Sequence, residues 1–210
     1  MQDREVASHF DSLAPHYDSY KERSSFYYGA IKSALQKLIP SGRRILDFGC
    51  GTGEILDFLH PSFGVGYDIS GGMIKQAQLK FGSKKNLHFS NFLDQVSGSF
   101  DFILMVDVVE HLASPEAVFG ELKDFSGRDT KLIISFVSSS WEPILWLLER
   151  LGLKMPEGPH QRFSEGEVLD LAGKSGFALV EKQKIRLFKF LPLAPITVFV
   201  FARKSPKSIL

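Results

Sequence analysis

The sequence is poor in cysteine, in net charge and in long apolar runs, and each scarcity removes a class of protein. Cys50 is the single cysteine among 210 residues, so no intrachain disulfide can form and zinc sites built from several thiolates are excluded. Lysine and arginine number 25 against 24 aspartates and glutamates. A formal charge of +1 gives no global electrostatic case for a nucleic-acid partner. The longest greasy stretch, Leu191 to Ala202, contains two prolines and a threonine and falls short of the roughly 20 apolar residues a spanning helix needs. Met1 to Phe10 is polar and charged rather than an apolar signal core, so a cytoplasmic location is expected. Tyrosine and tryptophan are few, 5 and 2 beside 19 phenylalanines, which favours greasy pockets over polar-tipped interface rings.

What is present is an alternation. Residues 1–40 carry a helical period: Phe10, Leu13 and Tyr17, then Ile31, Leu35, Leu38 and Ile39, ended by Pro40-Ser41-Gly42. Short apolar runs follow at Arg43–Phe48, Phe63–Tyr67, Asn86–Phe89, Phe100–Val106 and Lys131–Val137, and two extended runs close the chain at Ala178–Leu187 and Ile196–Ala202. Helical segments separate them at Glu54–Leu59, Gly72–Lys80, Pro115–Lys123, Trp141–Leu151 and Ser164–Lys174. Ser114 stands as N-cap before Pro115, and Ser164 with Glu167 forms a capping box.

Strands alternating with helices imply right-handed βαβ units. The expected fold is α/β: a Rossmann-like, doubly wound, mostly parallel seven-stranded sheet with helices on both faces. The last two runs share too short a loop to be parallel neighbours, so the final strand is expected to be antiparallel. One domain is expected over 1–210. Its parts are a helical cap (1–40), a ligand-binding core (41–137), a helical insertion (138–175), a terminal strand pair (176–203) and a tail (204–210).

The most informative segment is Ile45-Leu46-Asp47-Phe48-Gly49-Cys50-Gly51-Thr52-Gly53, a strand running into three alternating glycines and then a helix. Glycines permit a tight turn and let a ligand lie on bare backbone, and a helix N-terminus offers unpaired N–H groups. Asp68 ends the second strand, where a carboxylate can accept both hydroxyls of a ribose. The spacing is G-x-G-x-G rather than the G-x-G-x-x-G of pyrophosphate loops, and Asp47 adds negative charge where a dinucleotide brings its own. A cationic sulfonium ligand with an α-amino group suits that acid better. A nicotinamide-dependent oxidoreductase and a non-catalytic nucleotide-binding module are the alternatives.

In these motifs, and in Gly66-Tyr67-Asp68-Ile69-Ser70, Phe100-Asp101-Phe102-Ile103 and Asp107-Val108-Val109-Glu110-His111-Leu112, the sequence resembles the class I S-adenosylmethionine-dependent methyltransferases, especially the ubiquinone-pathway O-methyltransferase branch. A weaker match runs from Arg162-Phe163-Ser164 to Lys174-Ser175-Gly176-Phe177, and the resemblance covers roughly residues 10–203. It implies that Gly49 and Gly51 lie under the methionyl part of the donor, with Asp47 near its ammonium. Asp68 would hold the ribose, Ile69 would pack on the adenine, and Met73 would line that pocket. Asn91 and Phe92 stand where the family often has an acid beside the adenine amino group, and Asp107 falls near the methionyl end. The N-terminal helices would fold over the donor, bringing Tyr17 either to the sulfonium or into ordinary core packing.

Asp107, Glu110 and His111 could converge on a divalent metal; alternatively His111 removes a proton from an acceptor hydroxyl, or orients its loop. His160, in Gly158-Pro159-His160-Gln161-Arg162, either points at the acceptor or sits in a solvated loop. Cys50 reads as a small residue in a tight turn. The greasy segments Trp141–Leu151 and Leu187–Leu191 are core, or they wall a pocket for a lipophilic acceptor or rest on a membrane surface. The expected activity is methyl transfer from S-adenosylmethionine to a small-molecule acceptor, with O-methylation favoured. Oligomeric state is not readable.

Overall fold

The computed structural model describes residues 2–137, 139–141, 146, 147, 150, 158–186 and 195–204. Three helices lead: α1 (Asp3–Leu13), α2 (Tyr17–Arg23) and α3 (Ser25–Leu38). The sequence period suggests two helices here. The structure has three because Pro15, which lacks an N–H, tightens Ala14–His16 into a 3-10 turn between α1 and α2. The remaining elements are β1 (Arg44–Phe48), α4 (Glu54–Phe58), β2 (Phe63–Tyr67), α5 (Gly71–Phe81), β3 (Leu87–Ser90), β4 (Phe100–Val106), α6 (Pro115–Glu121), β5 (Ser126–Val137), α7 (Glu165–Lys174), β6 (Phe177–Ile185) and β7 (Ile196–Arg203).

The seven strands form one sheet in the order β3-β2-β1-β4-β5-β7-β6. Pairings from β3 through β5 are parallel, and β7 lies antiparallel between β5 and β6. The expected seven-stranded α/β architecture with an antiparallel final strand is therefore the observed one. Strand residues alternate between two cores, as a period of two requires. Leu46, Ile103, Met105, Leu132, Ile134 and Phe199 face one side, packed with Phe119 of α6 and Val168 of α7. Ile45, Leu104, Ile133 and Val198 face the other, packed with Ile31 and Leu35 of α3 and Ile74 of α5.

The largest boundary difference from the sequence reading is at β5. β5 begins at Ser126 rather than Lys131: Ser126 pairs with Phe100 across a register shift, and the Thr130 hydroxyl donates to the Phe100 carbonyl at 2.5 Å. Helix α6 stops at Glu121, and Ser114 occupies its N-cap position without a capping hydrogen bond. The Ser164–Glu167 capping box of α7 is formed as read. Trp141 ends a 3-10 turn, Ser139–Trp141. Most of the expected Trp141–Leu151 helix, all of Leu187–Leu191 and the tail from 205 onward lie outside the described residues, as does much of the 138–175 insertion.

Parallel strands direct their C-terminal ends to one edge of a sheet, and strand order reverses between β1 and β4. Ligands of open α/β sheets lie in the crevice at that switch point. No described helix is long and apolar enough to cross a membrane.

Candidate functional site

A cavity of about 360 Å³, within the usual range for small-molecule sites, opens at that crevice. Its floor is the turn after β1. Gly49 and Gly51 have φ of +80° and +54°, backbone that favours glycine. A Cβ on Gly49 would come within 2.3 Å of a Val108 methyl, and one on Gly51 would meet the Tyr17 ring at 3.2 Å. The loop amides are not left pointing outward. Those of Gly49 and Cys50 both donate to the Tyr67 carbonyl, at 2.7 and 3.0 Å, and that of Gly51 donates to Asp68 Oδ2 at 2.8 Å. The loop spends these donors on the end of β2, so the turn itself is not the anion cradle a pyrophosphate needs. The nicotinamide alternative loses its main support with them.

Two buried carboxylates face the cavity. Asp68 accepts from the Ser70 amide through Oδ1 and the Gly51 amide through Oδ2. Burial, working against those two hydrogen bonds, pushes its pKa up to about 6. Asp47, at the other side of the glycine turn, is 1% exposed, and neither of its oxygens has a hydrogen-bond partner. Burial raises its pKa to about 7. An orphaned buried carboxylate costs several kcal/mol as the anion unless a cation or donor joins it. Asp47 therefore fits a ligand that carries positive charge into the cavity. Cys50 is buried with its thiol pushed well up in pKa by burial, so it is an inert small residue in the turn.

The N-terminal helices roof this cavity. Asp11 of α1 accepts from the Ser70 hydroxyl at 2.6 Å and the Gly72 amide at 2.8 Å, joining α1 to the start of α5. Asp18 of α2 accepts from the Thr52 hydroxyl at 2.6 Å and pairs with Lys80 at 2.8 Å. These contacts bring Tyr17 over Gly51 and place Lys21 and Tyr28 in the cavity wall. Ile69 and Met73 also line it. Asn91 and Phe92 do not, and Phe92 is 56% exposed. Leu93, one residue further along, lines the cavity in their stead.

The end of β4 closes the other side. Asp107 lines the cavity with φ at +54°, strained for a residue with a side chain. Its carboxylate accepts from the Tyr27 hydroxyl at 2.8 Å and the Ser135 hydroxyl at 2.9 Å. His111 lines the cavity too, with Nδ1 2.9 Å from the Pro159 carbonyl. A carbonyl can only accept, so Nδ1 bears the hydrogen, which in the neutral ring leaves the lone pair to Nε2. His160 is outside the lining, its ring 6.4 Å from that of His111 and its Nδ1 2.8 Å from the Gly158 carbonyl. Among the described residues, no three His, Cys, Asp or Glu side chains are grouped to hold a metal ion, so Asp107, Glu110 and His111 do not form the alternative metal site.

Sequence reasoning missed Lys21, Tyr27, Tyr28 and the contact of His9 with the His160 segment, where a Cβ on Gly158 would run into the His9 ring. Lys21 had one available signal: it lies four residues after Tyr17, on the same helix face. Trp146, in a segment read as core, as a pocket wall or as a membrane contact, is 56% exposed and does not line the cavity.

A β3-β2-β1-β4 crevice with a glycine turn after β1 and an acid after β2 defines a Rossmann-like nucleoside-binding domain. A model of the methyltransferase domain family matches residues 20–182, and the chain belongs to that family. Magnesium-protoporphyrin O-methyltransferase of Synechocystis is 27% identical over 151 residues, covering 66% of this chain and 64% of the relative. Its crystal structure with bound S-adenosylhomocysteine has a TM-score of 0.60 at 21% identity, over 87% of this chain and 83% of that one. Ubiquinone biosynthesis O-methyltransferase of Coxiella burnetii is 23% identical over 164 residues, 72% of this chain and 70% of the relative. A Haloferax volcanii methyltransferase, solved in complex with the Trm112 activator, has a TM-score of 0.74 at 16% identity, over 93% of this chain and 98% of that one. Three curated relatives at 37–38% identity are matched over 37%, 15% and 20% of their own lengths, so the chain spans well under half of each.

Proposed function

We propose that this chain transfers the methyl group of S-adenosylmethionine to a hydroxyl of a small-molecule acceptor. The observation that carries the reading is the pair of buried acids on either side of the glycine turn: Asp68, and the unpartnered Asp47. An uncharged or anionic nucleoside leaves Asp47 uncompensated, whereas one bearing an ammonium and a sulfonium relieves it. Asp68 takes the ribose hydroxyls, keeping its bonds from the two amides, since each carboxylate oxygen has a second lone pair. Ile69, Met73 and Leu93 provide the apolar surface for the base. The Tyr17 ring, held over Gly51, faces the cationic sulfur.

Bound there, S-adenosylmethionine supplies a methyl group already activated by a positive sulfur. The protein's own part is to orient an acceptor in line, exclude water and take a proton. The cap does the excluding, latched through Asp11 and Asp18. His111 takes the proton at Nε2, because the Pro159 carbonyl fixes the hydrogen on Nδ1. His160 and Phe10 flank that imidazole and shape the acceptor's approach. The two relatives named O-methyltransferases support an oxygen over a nitrogen acceptor. Asp107, tied to Tyr27 and Ser135, fixes the end of β4 rather than meeting the acceptor.

Incubation with methyl-labelled donor and a panel of phenols, alcohols, carboxylic acids and amines tests this. Label should accumulate on a hydroxyl compound; label on amines alone would contradict the acceptor assignment.

A further inference from the structure

His111 stands on a turn with weak internal bonding. Val109–His111 is a single 3-10 turn between β4 and α6. The His111 amide donates to the Val108 carbonyl at 2.8 Å, and the Leu112 amide to the Val109 carbonyl at 3.4 Å, longer than an ordinary N–H···O bond. The carbonyls on either side of His111 are both taken up by Gln161. Its main-chain N–H donates to the Glu110 carbonyl at 2.6 Å, and its side-chain Nε2 donates to the Leu112 carbonyl at 3.0 Å. Between those two bonds the Pro159 carbonyl accepts from His111 Nδ1 at 2.9 Å. Three hydrogen bonds thus lace the segment to three consecutive residues, Glu110, His111 and Leu112.

The other end of the segment is seated against the cap. Gly158 has φ of +69°, and a Cβ there would come within 2.3 Å of the His9 ring of α1. The His160 ring bonds back to the Gly158 carbonyl at 2.8 Å, and Pro159 has its own φ locked by its ring. The Pro159 carbonyl is therefore aimed from both sides, by the close packing at Gly158 and by the two bonds of Gln161. A neutral imidazole can carry its hydrogen on either nitrogen, and the acceptor held at one decides the state of the other. A carbonyl free to swing away decides nothing. The anchoring of Pro159 is what makes His111 a base at Nε2, and Gln161 supplies it from outside the cavity lining.

We infer that Gln161 is a positioning residue: by bridging the Glu110 and Leu112 carbonyls it holds the Pro159 carbonyl on His111, and so keeps the imidazole in the tautomer and orientation that proton transfer at Nε2 requires. The inference rests on His111 as the proton acceptor and deepens that reading. Gln161 acts through His111 and lies outside the cavity, so its loss lowers the rate of transfer and leaves donor affinity alone. The loss is smaller than that on removing the imidazole, because a loosened histidine still spends part of its time in the working tautomer.

The test reads the tautomer directly. Two-bond proton–nitrogen NMR spectra of the chain with labelled histidines, taken at pH 8, above the ordinary imidazole range, show which ring nitrogen carries the hydrogen. His111 is the resonance that a His111→Gln variant lacks. In the wild type it should carry hydrogen on Nδ1. In Gln161→Met, which keeps length and removes the donor, hydrogen should appear on Nε2; in Gln161→Lys, which restores a donor, it should return to Nδ1. Single-turnover transfer to the hydroxyl compound that takes up most label in the panel above should fall at least tenfold in Gln161→Met and recover most of the way in Gln161→Lys. Calorimetric affinity for S-adenosylhomocysteine should stay within twofold throughout, which also shows that the variants are folded. The inference is overturned if Gln161→Met keeps its hydrogen on Nδ1, keeps the wild-type rate, or weakens S-adenosylhomocysteine in step with the rate. A His111→Gln chain that transfers methyl at the wild-type rate would overturn the base assignment itself, and this inference with it, whatever the Gln161 spectra show.

Discussion

The two ends of the cavity are built from different materials. At the donor end the shape is set by main chain: the turn after β1, the amides feeding Tyr67 and Asp68, and the start of α5. At the opposite end it is set by side chains from distant stretches, Phe10 from the cap and His111 after β4, with the Gly158–Arg162 segment held behind them through the Pro159 carbonyl on His111 and through Gln161 on the Glu110 and Leu112 carbonyls. Main-chain geometry of this kind tolerates little substitution and suits a ligand that never changes. Side-chain walls can be exchanged without disturbing the sheet, which suits an end where acceptors vary.

The contrast can be broken at each end. His111→Gln should reduce methyl transfer by roughly 10²–10⁴-fold, since it removes the proton acceptor, while S-adenosylhomocysteine affinity changes by less than about threefold. Single-turnover rates and calorimetry on the same preparation separate the two. Gly49→Ala should act the other way, damaging the donor end and the fold together. Its Cβ would sit 2.3 Å from a Val108 methyl at a φ of +80°, and denaturant melts should show a loss of about 2–4 kcal/mol.

Asp47→Asn sharpens the electrostatic side. A carboxyl whose pKa rises on folding, here from 3.8 to about 7, keeps a proton that the unfolded chain releases. The empty protein therefore loses stability as pH climbs through that window. The asparagine variant escapes the loss and should be more stable than wild type above pH 7 by about 1–3 kcal/mol, with no such gain near pH 4. Melts at pH 4.5 and pH 8 check the sign; a variant less stable at pH 8 would mean Asp47 has a compensating partner.

Much of the donor end was legible in the sequence because it is local. Strands β2 and β4 announce themselves by short apolar runs, the capping box of α7 by Ser164 and Glu167, and the crevice by three glycines followed by Asp68. Other features depend on residues that meet only after folding. Ser126–Asp129 reads as a polar turn, yet Phe100 recruits Ser126 into β5. Lys21 carries no sequence signal of burial, because the Tyr28 ring that covers it comes from the next helix, α3. Asp107 could be placed at the end of β4 from its neighbours, but its ties to Tyr27 and Ser135 span 80 and 28 residues. Asn91 and Phe92 sit two and one residues short, because the 3-10 turn at Leu93–Gln95 brings Leu93 to the cavity.

The most direct measurement is the affinity of S-adenosylhomocysteine for the wild-type chain and for Asp68→Asn at pH 8, where the wild-type carboxyl is ionised. If the sugar of the donor is gripped at Asp68, the wild type binds and the variant loses about 10–100-fold, the worth of charge-assisted hydrogen bonds to the ribose. Equal affinity in the two proteins would contradict the account.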